Sequence, residues 1–228
     1  MIKFNNHRIK IIFVSIIGIF ILYSCAPNQP PQPCENVTDI DGNTYNVVKI
    51  GTQCWMAENL KVTRYRNGDS ILKITNDTTW IGLVTGAYCD YNNDTANSTI
   101  YGRLYNWYAV SDSRGIAPVG WHIPTDAEWA TLENYLGGSN VAYKMKVPAS
   151  NIPPWDGVNA SGFAALPSGE RFYGNGHFYD IDTNAIFWST TEYSSLAGWD
   201  MFLDLGDMQS HRGFSYKAEG ISLRCIKD

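Results

Sequence analysis

"YGRLYNWYAV", residues 101–110, places four rings in eight positions: Tyr101, Tyr105, Trp107 and Tyr108. Such a run is either the interior of a domain built from short elements or a platform on which a ligand stacks. Tyr101, Tyr105 and Tyr108 fall at i, i+4 and i+7, so they share one face if the segment is helical. The rest of the chain decides which reading holds.

The surroundings are globular. Of 228 residues, 44% are hydrophobic, 17% charged and 14% aromatic, with 20 glycines. Many rings and glycines with few charges suit short strands and turns better than a helical bundle.

Downstream lies the clearest helix, in "GWHIPTDAEWATLENYLGG". Thr125 is the N-cap and Glu128, three residues on, completes a capping box. Trp129, Leu132 and Leu136 form the apolar stripe, and Gly137-Gly138 stops it. A shorter helix is expected over 140–146. Upstream, "VTDIDGNTYNVVKIGTQCWM" reads as strands over 37–40, 44–50 and 53–56 around a "DGN" turn. Later, "GFAALPSGER", "GHFYDI", "AIFWSTTEY", "WDMFLDL" and "GISLRCIKD" read as antiparallel strands, with first and last strands adjacent.

Residues 66–100, with "NGDS", "NDTT" and "NNDTANST", read as a long, irregular, exposed stretch. Asp90-x-Asn92-x-Asp94 has the spacing of a calcium loop. Thr95 and Tyr101 stand where such a loop needs Gly and Glu, so no metal is expected. The fold class is α+β: short antiparallel strands, one or two helices and long loops.

The first 24 residues are of another kind. Lys3, Arg8 and Lys10 precede "IIFVSIIGIFIL", residues 11–22, an apolar run too short to span a bilayer and sized for a signal peptide. The run ends in Leu22-Tyr23-Ser24-Cys25, which resembles a bacterial lipobox, with Tyr23 bulkier than usual. The resemblance implies acylation of Cys25, palmitate included, and anchoring to the outer membrane, periplasmic or surface-facing. Residues 25–36 hold four prolines and read as an extended tether. Without the leader's three basic residues, 14 basic face 22 acidic side chains, which excludes nucleic acid as a partner. Besides Cys25 the chain has Cys34, Cys54, Cys89 and Cys225, an even number that reads as two disulfides of open pairing.

Six segments in order, "VTDIDGNTYNVVKIGTQCWMAENLK", "YGRLYNWYAV", "GWHIPTDAEW", "SGFAALPSGER", "FWSTTEY" and "ISLRCIKD", resemble the Fibrobacter succinogenes major paralogous domain (FISUMP) family over 37–228. Ala117 stands where the family often has a cysteine. The resemblance implies a C-type-lectin-like fold, a bacterial lipoprotein, and relationship to sulfatase-modifying enzymes. It makes "YGRLYNWYAV" a framework segment and assigns its rings, with Trp55, Trp121, Trp129 and Trp188, to the core.

In lectin-like folds ligands meet the long loop and the late strands, here about 150–160 and 188–216. Trp155 sits in "PPWDG", a loop in which burial is hard to explain. Glu192, Tyr193, Trp199 and Asp200, then Gln209, His211, Arg212 and Tyr216, supply flat rings beside directional hydrogen-bonding groups. These residues point to non-covalent binding of a glycan, peptide or protein. The calcium-binding signatures of sugar lectins are absent.

No nucleophile motif, phosphate loop or histidine pair points to catalysis, and no cofactor is expected. His122 reads as a hydrogen-bonded structural residue. The alternative to a binding module is a structural subunit of a surface complex or appendage; an enzyme ranks last.

Overall fold

The computed structural model describes residues 34–228. The leader, Cys25 and most of the tether therefore lie outside the described residues. Among the described residues no helix is long and apolar enough to cross a membrane.

The elements run β1 (Val37–Thr38), β2 (Thr44–Tyr45), β3 (Val47–Ile50), β4 (Gln53–Met56), β5 (Leu72–Lys73), α1 (Asp77–Ile81), β6 (Ala87–Cys89), a 3-10 turn (Tyr91–Asn93), α2 (Thr95–Tyr101), β7 (Leu104–Tyr105) and α3 (Trp107–Val110). They continue with β8 (Trp121–His122), α4 (Asp126–Leu136), α5 (Ala142–Met145), β9 (Ser168–Arg171), β10 (Phe178–Ile181), β11 (Asn184–Ser194), β12 (Ala197–Asp204), β13 (Ser210–Tyr216) and β14 (Ile226–Lys227). This is the expected α+β class. One pair departs from the expected antiparallel rule: β5 and β6 run parallel.

The chain's end is built into its middle. β14 lies between β4 and β8 in the order β3-β4-β14-β8. The segment before it is wholly buried and bonds on both sides: Leu60 N–H to Leu223 O, Trp188 N–H to Ser222 O, and Ile221 N–H to Tyr105 O. No open sheet edge remains along this segment.

α4 forms as its sequence requires. Glu128 N–H donates to Thr125 Oγ1, and Thr125 N–H donates to Glu128 Oε2 at 2.8 Å. Gly137, at φ 120°, ends the helix in a conformation that favours glycine. Trp129 and Leu132 turn inward and Leu136 is half-buried. Trp129 meets Trp55 at 4.7 Å and Phe187 at 5.8 Å, with Phe163 edge-on to Trp129, Trp55 and Phe187.

The "YGRLYNWYAV" segment is not one helix. Tyr101 ends α2, Gly102 turns at φ 78°, Leu104–Tyr105 pair as β7, and Trp107 opens α3. The helix ends where Gly102 takes that positive φ, and a Cβ there would fall 2.5 Å from Asn59 Cβ, a close approach that glycine allows. Tyr101, Tyr105 and Trp107 are buried as expected; Tyr108 is only partly so.

Residues 66–100 are mostly exposed, as expected, but they are not the irregular stretch that the sequence suggests. They build α1, α2, β5 and β6 and supply Trp80, Ala87, Cys89 and Tyr91 to a third hydrophobic cluster. The polar residues that suggested loop are helix caps. Asn76 accepts from Thr79 N–H and Asp94 from Ala96 N–H. Asp90 is buried between Lys73 and Arg103 (3.1 Å).

Two disulfides were expected and one is formed, Cys34–Cys54. Cys89 and Cys225 are separate buried thiols because they lie in different hydrophobic clusters. Burial pushes the Cys89 thiol up to about 12. Cys225 is joined to the early strands by its carbonyl, which accepts from Met56 N–H at 3.0 Å, rather than by sulfur.

Three buried cations hold the long loops. Arg224 donates to Asn59 Oδ1 (2.6 Å), Met56 O (3.1 Å), Ala164 O (3.0 Å) and Phe163 O, with its guanidinium 4.4 Å from the Phe163 ring. Arg171 binds Ile74 O, Gly176 O and Asp77, and lies 4.5 Å over Trp80. Lys146 binds Asp204 O, Asp207 O and the Asp156 carboxylate. A loop carbonyl that meets no ladder needs a donor, and one guanidinium supplies five.

Candidate functional site

The late strands form the sheet β11-β12-β13, with Trp199 opposite Phe214 and Met201 opposite Arg212. Partners opposite one another in an antiparallel pair share a face. Trp199, Phe214, Met201 and Arg212 are therefore on one face, and Asp200, Phe202 and His211 on the other. The β11–β12 register shifts on either side of Glu192. Bulges re-aim side chains, and Tyr193 lies within the second shift.

The outcome is a ring surface. Tyr193 and Phe214 stack at 4.3 Å with planes 7° apart, and Trp199 meets Tyr193 edge-on at 5.1 Å. Tyr193 is 46% exposed and Phe214 52%. Of the eight tryptophans, seven are buried; Trp199 alone is half-exposed, so its setting is not the core setting of the others.

The structure divides the residues chosen from sequence. Tyr193 and Trp199 meet. Glu192 is exposed and paired with Lys217. Arg212 bridges Asp126 (2.8 Å) and Glu133 (3.1 Å) on α4, and His211 pairs with Asp207 at 2.9 Å on the opposite face. Gln209 is exposed in the β12–β13 turn. Asp200 is buried and accepts from Ser215 Oγ at 2.7 Å.

Trp155 corrects the sequence reading. It is 3% exposed and packs in the α4 cluster, because Lys146 reaches over its ring at 5.2 Å and closes the loop above it. It presents no surface to a ligand.

Phe214 was missed. The signal was its place in "HRGFSY", opposite Trp199, which needs the register of two strands. Lys217 was also missed; it is buried 4.5 Å from the Trp107 ring. Gly198 makes that arrangement possible, since a Cβ there would fall 2.4 Å from Trp107.

Three carboxyls repel one another: Asp200 on β12, Glu170 on β9, and Glu219. Burial, then Asp180 and Asp200, pushes Glu170 up to about 7. Burial, then Glu170, pushes Glu219 up to about 9. Burial pushes Asp200 up to about 6. Near neutral pH the group holds protons that solvent-exposed carboxyls would have lost. Among the described residues no set of three His, Cys, Asp or Glu side chains converges as metal ligands. His122 is tied on both ring nitrogens, to Asp228 at 2.6 Å and Glu128 at 2.9 Å, as a structural residue would be.

Thus the arrangement presents flat apolar rings flanked by internally satisfied charges. Such a face can bind by stacking and apolar contact; its ionised groups are already matched.

Comparison with known proteins gives one positive finding. The family model described as the Fibrobacter succinogenes major domain matches residues 48–227, most of the chain. No curated protein and no solved structure matches it.

Proposed function

Because this chain belongs to the Fibrobacter succinogenes major domain family, we propose that it is an envelope lipoprotein whose domain binds a glycan, peptide or protein without chemistry. The lipid on Cys25 and the proline-rich tether hold it at the outer membrane. The domain has a C-type-lectin-like fold. What supports that reading is a loop-rich α+β body whose last strand returns beside the early ones.

The observation that carries the binding function is the exposed stack of Tyr193 on Phe214, with Trp199 at its edge. Rings left in water forgo the burial that the other tryptophans obtain, which a partner would restore. The test is binding by the full chain to an array of glycans and envelope or host proteins, with Tyr193→Ala and Trp199→Ala beside it. A ligand retained by the native chain and lost by both folded variants supports the reading. Equal binding by the variants moves the site elsewhere. An array with no ligand, combined with cross-linking of the native chain to one envelope partner, replaces it by the assembly-subunit reading.

A further inference from the structure

The sheet β11-β12-β13 has two borders, and only one is closed. Along β11, Trp188 N–H donates to Ser222 O, Ser222 N–H to Ile186 O and Thr190 N–H to Pro124 O. β13 has β12 on one side and, among the described residues, no strand on the other.

Backbone groups of an antiparallel strand point alternately toward its partner and away from it. The β12–β13 register is unbroken from Leu203↔Ser210 to Ala197↔Tyr216. Lys217 N–H points toward β12 and donates to Leu196 O, while Ser210 N–H points away and donates to Ser139 O. Between them, Arg212, Phe214 and Tyr216 therefore turn their N–H groups outward. Those N–H groups and the carbonyls of Arg212 and Phe214 meet no acceptor or donor among the described residues; Tyr216 O accepts from Glu219 N–H.

Open strand edges invite pairing, and proteins usually shorten them, cover them or blunt them with proline, lysine or a bulge. β13 has seven residues, none of them proline or lysine, and no bulge. Its charges are tied down, His211 to Asp207 and Arg212 to Asp126 and Glu133. Only its ends are covered. Ser139 closes the edge at Ser210, and β9 closes the other end, where Arg171 pairs with Gly220 and Tyr173 meets Tyr216 at 4.2 Å. The open window spans residues 212–216, with Arg212, Phe214 and Tyr216 exposed.

The surroundings of the window suit an added strand. Side chains alternate between faces, so residues i and i+2 of an incoming chain would lie beside Phe214 and Tyr216. Phe214 carries the stacked Tyr193. Beside Tyr216 is a hollow of about 280 Å³, lined by Ile81, Val84, Leu196 and Ala218 among others. Ile81, Val84 and Leu196 are exposed, so apolar surface runs from the ring stack along the open edge into the hollow.

These features choose among occupants. A glycan has no amides spaced to meet the outward backbone groups. Two copies pairing antiparallel across this window would bring Ser139 of one onto β9 of the other, because those covers flank it. A single extended chain fits between them, with main-chain bonds for affinity and alternate side chains for specificity.

We propose that β13 is a docking edge for an extended peptide segment of another protein. The segment adds a fourth strand to β11-β12-β13 across residues 212–216 and sets two apolar side chains, two residues apart, beside Phe214 and in the Leu196 hollow. This rests on the reading of the late-strand face as a binding surface and names peptide as its ligand.

The test selects binders to the full chain from a displayed library of random heptapeptides. Selected peptides are then measured by fluorescence polarisation with a single N-methyl group placed at each position in turn. Each methyl removes one N–H and keeps the side chain. The expected result is apolar residues two apart in the selected sequences, a loss of about tenfold or more for methyls at alternate positions, and little loss at the positions between. Leu196→Asp should weaken binding about tenfold with the thermal midpoint level, since Leu196 is exposed. The proposal is overturned by a library that yields no binder, by losses that ignore the methyl's position, or by Leu196→Asp binding as tightly as the native chain. Dimerisation of the native chain that blocks the peptide gives the edge to a second copy and overturns it too. If no peptide is selected while a glycan binds and is lost with Tyr193→Ala and Trp199→Ala, the docking edge falls and the ring surface stands; if peptides, glycans and proteins all fail to bind, both fall.

Discussion

Two groups of aromatic rings in this molecule use the same residue types to opposite ends. The inner group, Trp55, Trp129, Phe163 and Phe187, is sealed, and Arg224 lies over Phe163 and near Phe187. The outer group, Tyr193, Trp199 and Phe214, stacks as closely, yet Tyr193 and Phe214 stay exposed and Trp199 only half-buried. Ring packing alone therefore does not make a core here. The inner rings are core because a helix with a strong cap and a guanidinium with four protein acceptors close over them. The outer rings sit at a register shift and opposite one another on a hairpin, where Tyr193 and Phe214 remain exposed.

The contrast predicts a ranking of effects. Arg224→Ala should be the most damaging change. It strands several buried carbonyls and leaves a space against Phe163, for a loss of at least about 4 kcal/mol. The urea midpoint reads this directly, and a loss under about 1 kcal/mol would mean the guanidinium is not the seal. Trp129→Ala should cost about 3–5 kcal/mol, as other large-to-small changes in packed interiors do.

The three mutually repelling carboxyls give a pH dependence. Glu219, Glu170 and Asp200 have folded-state values raised above their ordinary ones. Their protonated forms favour the fold, so their contribution is complete below about pH 4 and is lost as pH rises through about 6 to 9. His122, raised by its hydrogen bonds to Asp228 and Glu128 against the opposing effect of burial, has the same sign. Stability should therefore fall between pH 5 and 9. Asp200→Asn should flatten the lower part of that decline and Glu219→Gln the upper part. Thermal melts across the range check both, and parallel curves for native and variant chains would remove these carboxyls as the cause.

The smallest effects on stability belong to the outer rings. Tyr193→Ala and Phe214→Ala should change the unfolding free energy by only about 0.5–1 kcal/mol, the worth of an exposed ring pair. A loss as large as that of Trp129→Ala would show that the outer rings are a second core and not a surface.

Legibility in the sequence followed distance along the chain. The α4 capping box, its stripe and its glycine stop involve neighbours within a few turns, and all were readable. The return of "ISLRCIKD" to the early part of the chain was readable from the strand pattern, but the last strand pairs with β4 and β8 and the first strand with β2 alone. The third hydrophobic cluster was not readable. Trp80, Cys89, Tyr91 and Leu104 have no common period, and the caps Asn76 and Asp94 look like loop punctuation when no helix is in view. Trp155 was misread for a similar reason: its cover, Lys146, belongs to another segment. At the candidate sites, Trp199 and Tyr193 were visible as rings in late strands. Phe214 needed the β12–β13 register.

The sequence by itself determined the α+β class, the capped helix, the family and the presence of a disulfide. These rest on local propensity, spacing and composition, which a linear chain displays. Tertiary structure alone decided which cysteines pair, which cations are buried, and which of many similar rings are sealed or left open. Those outcomes depend on what a distant segment places on top of each group. A buried charge or hydroxyl is defined by its partners, and here the partners are as far away as Asn59 from Arg224.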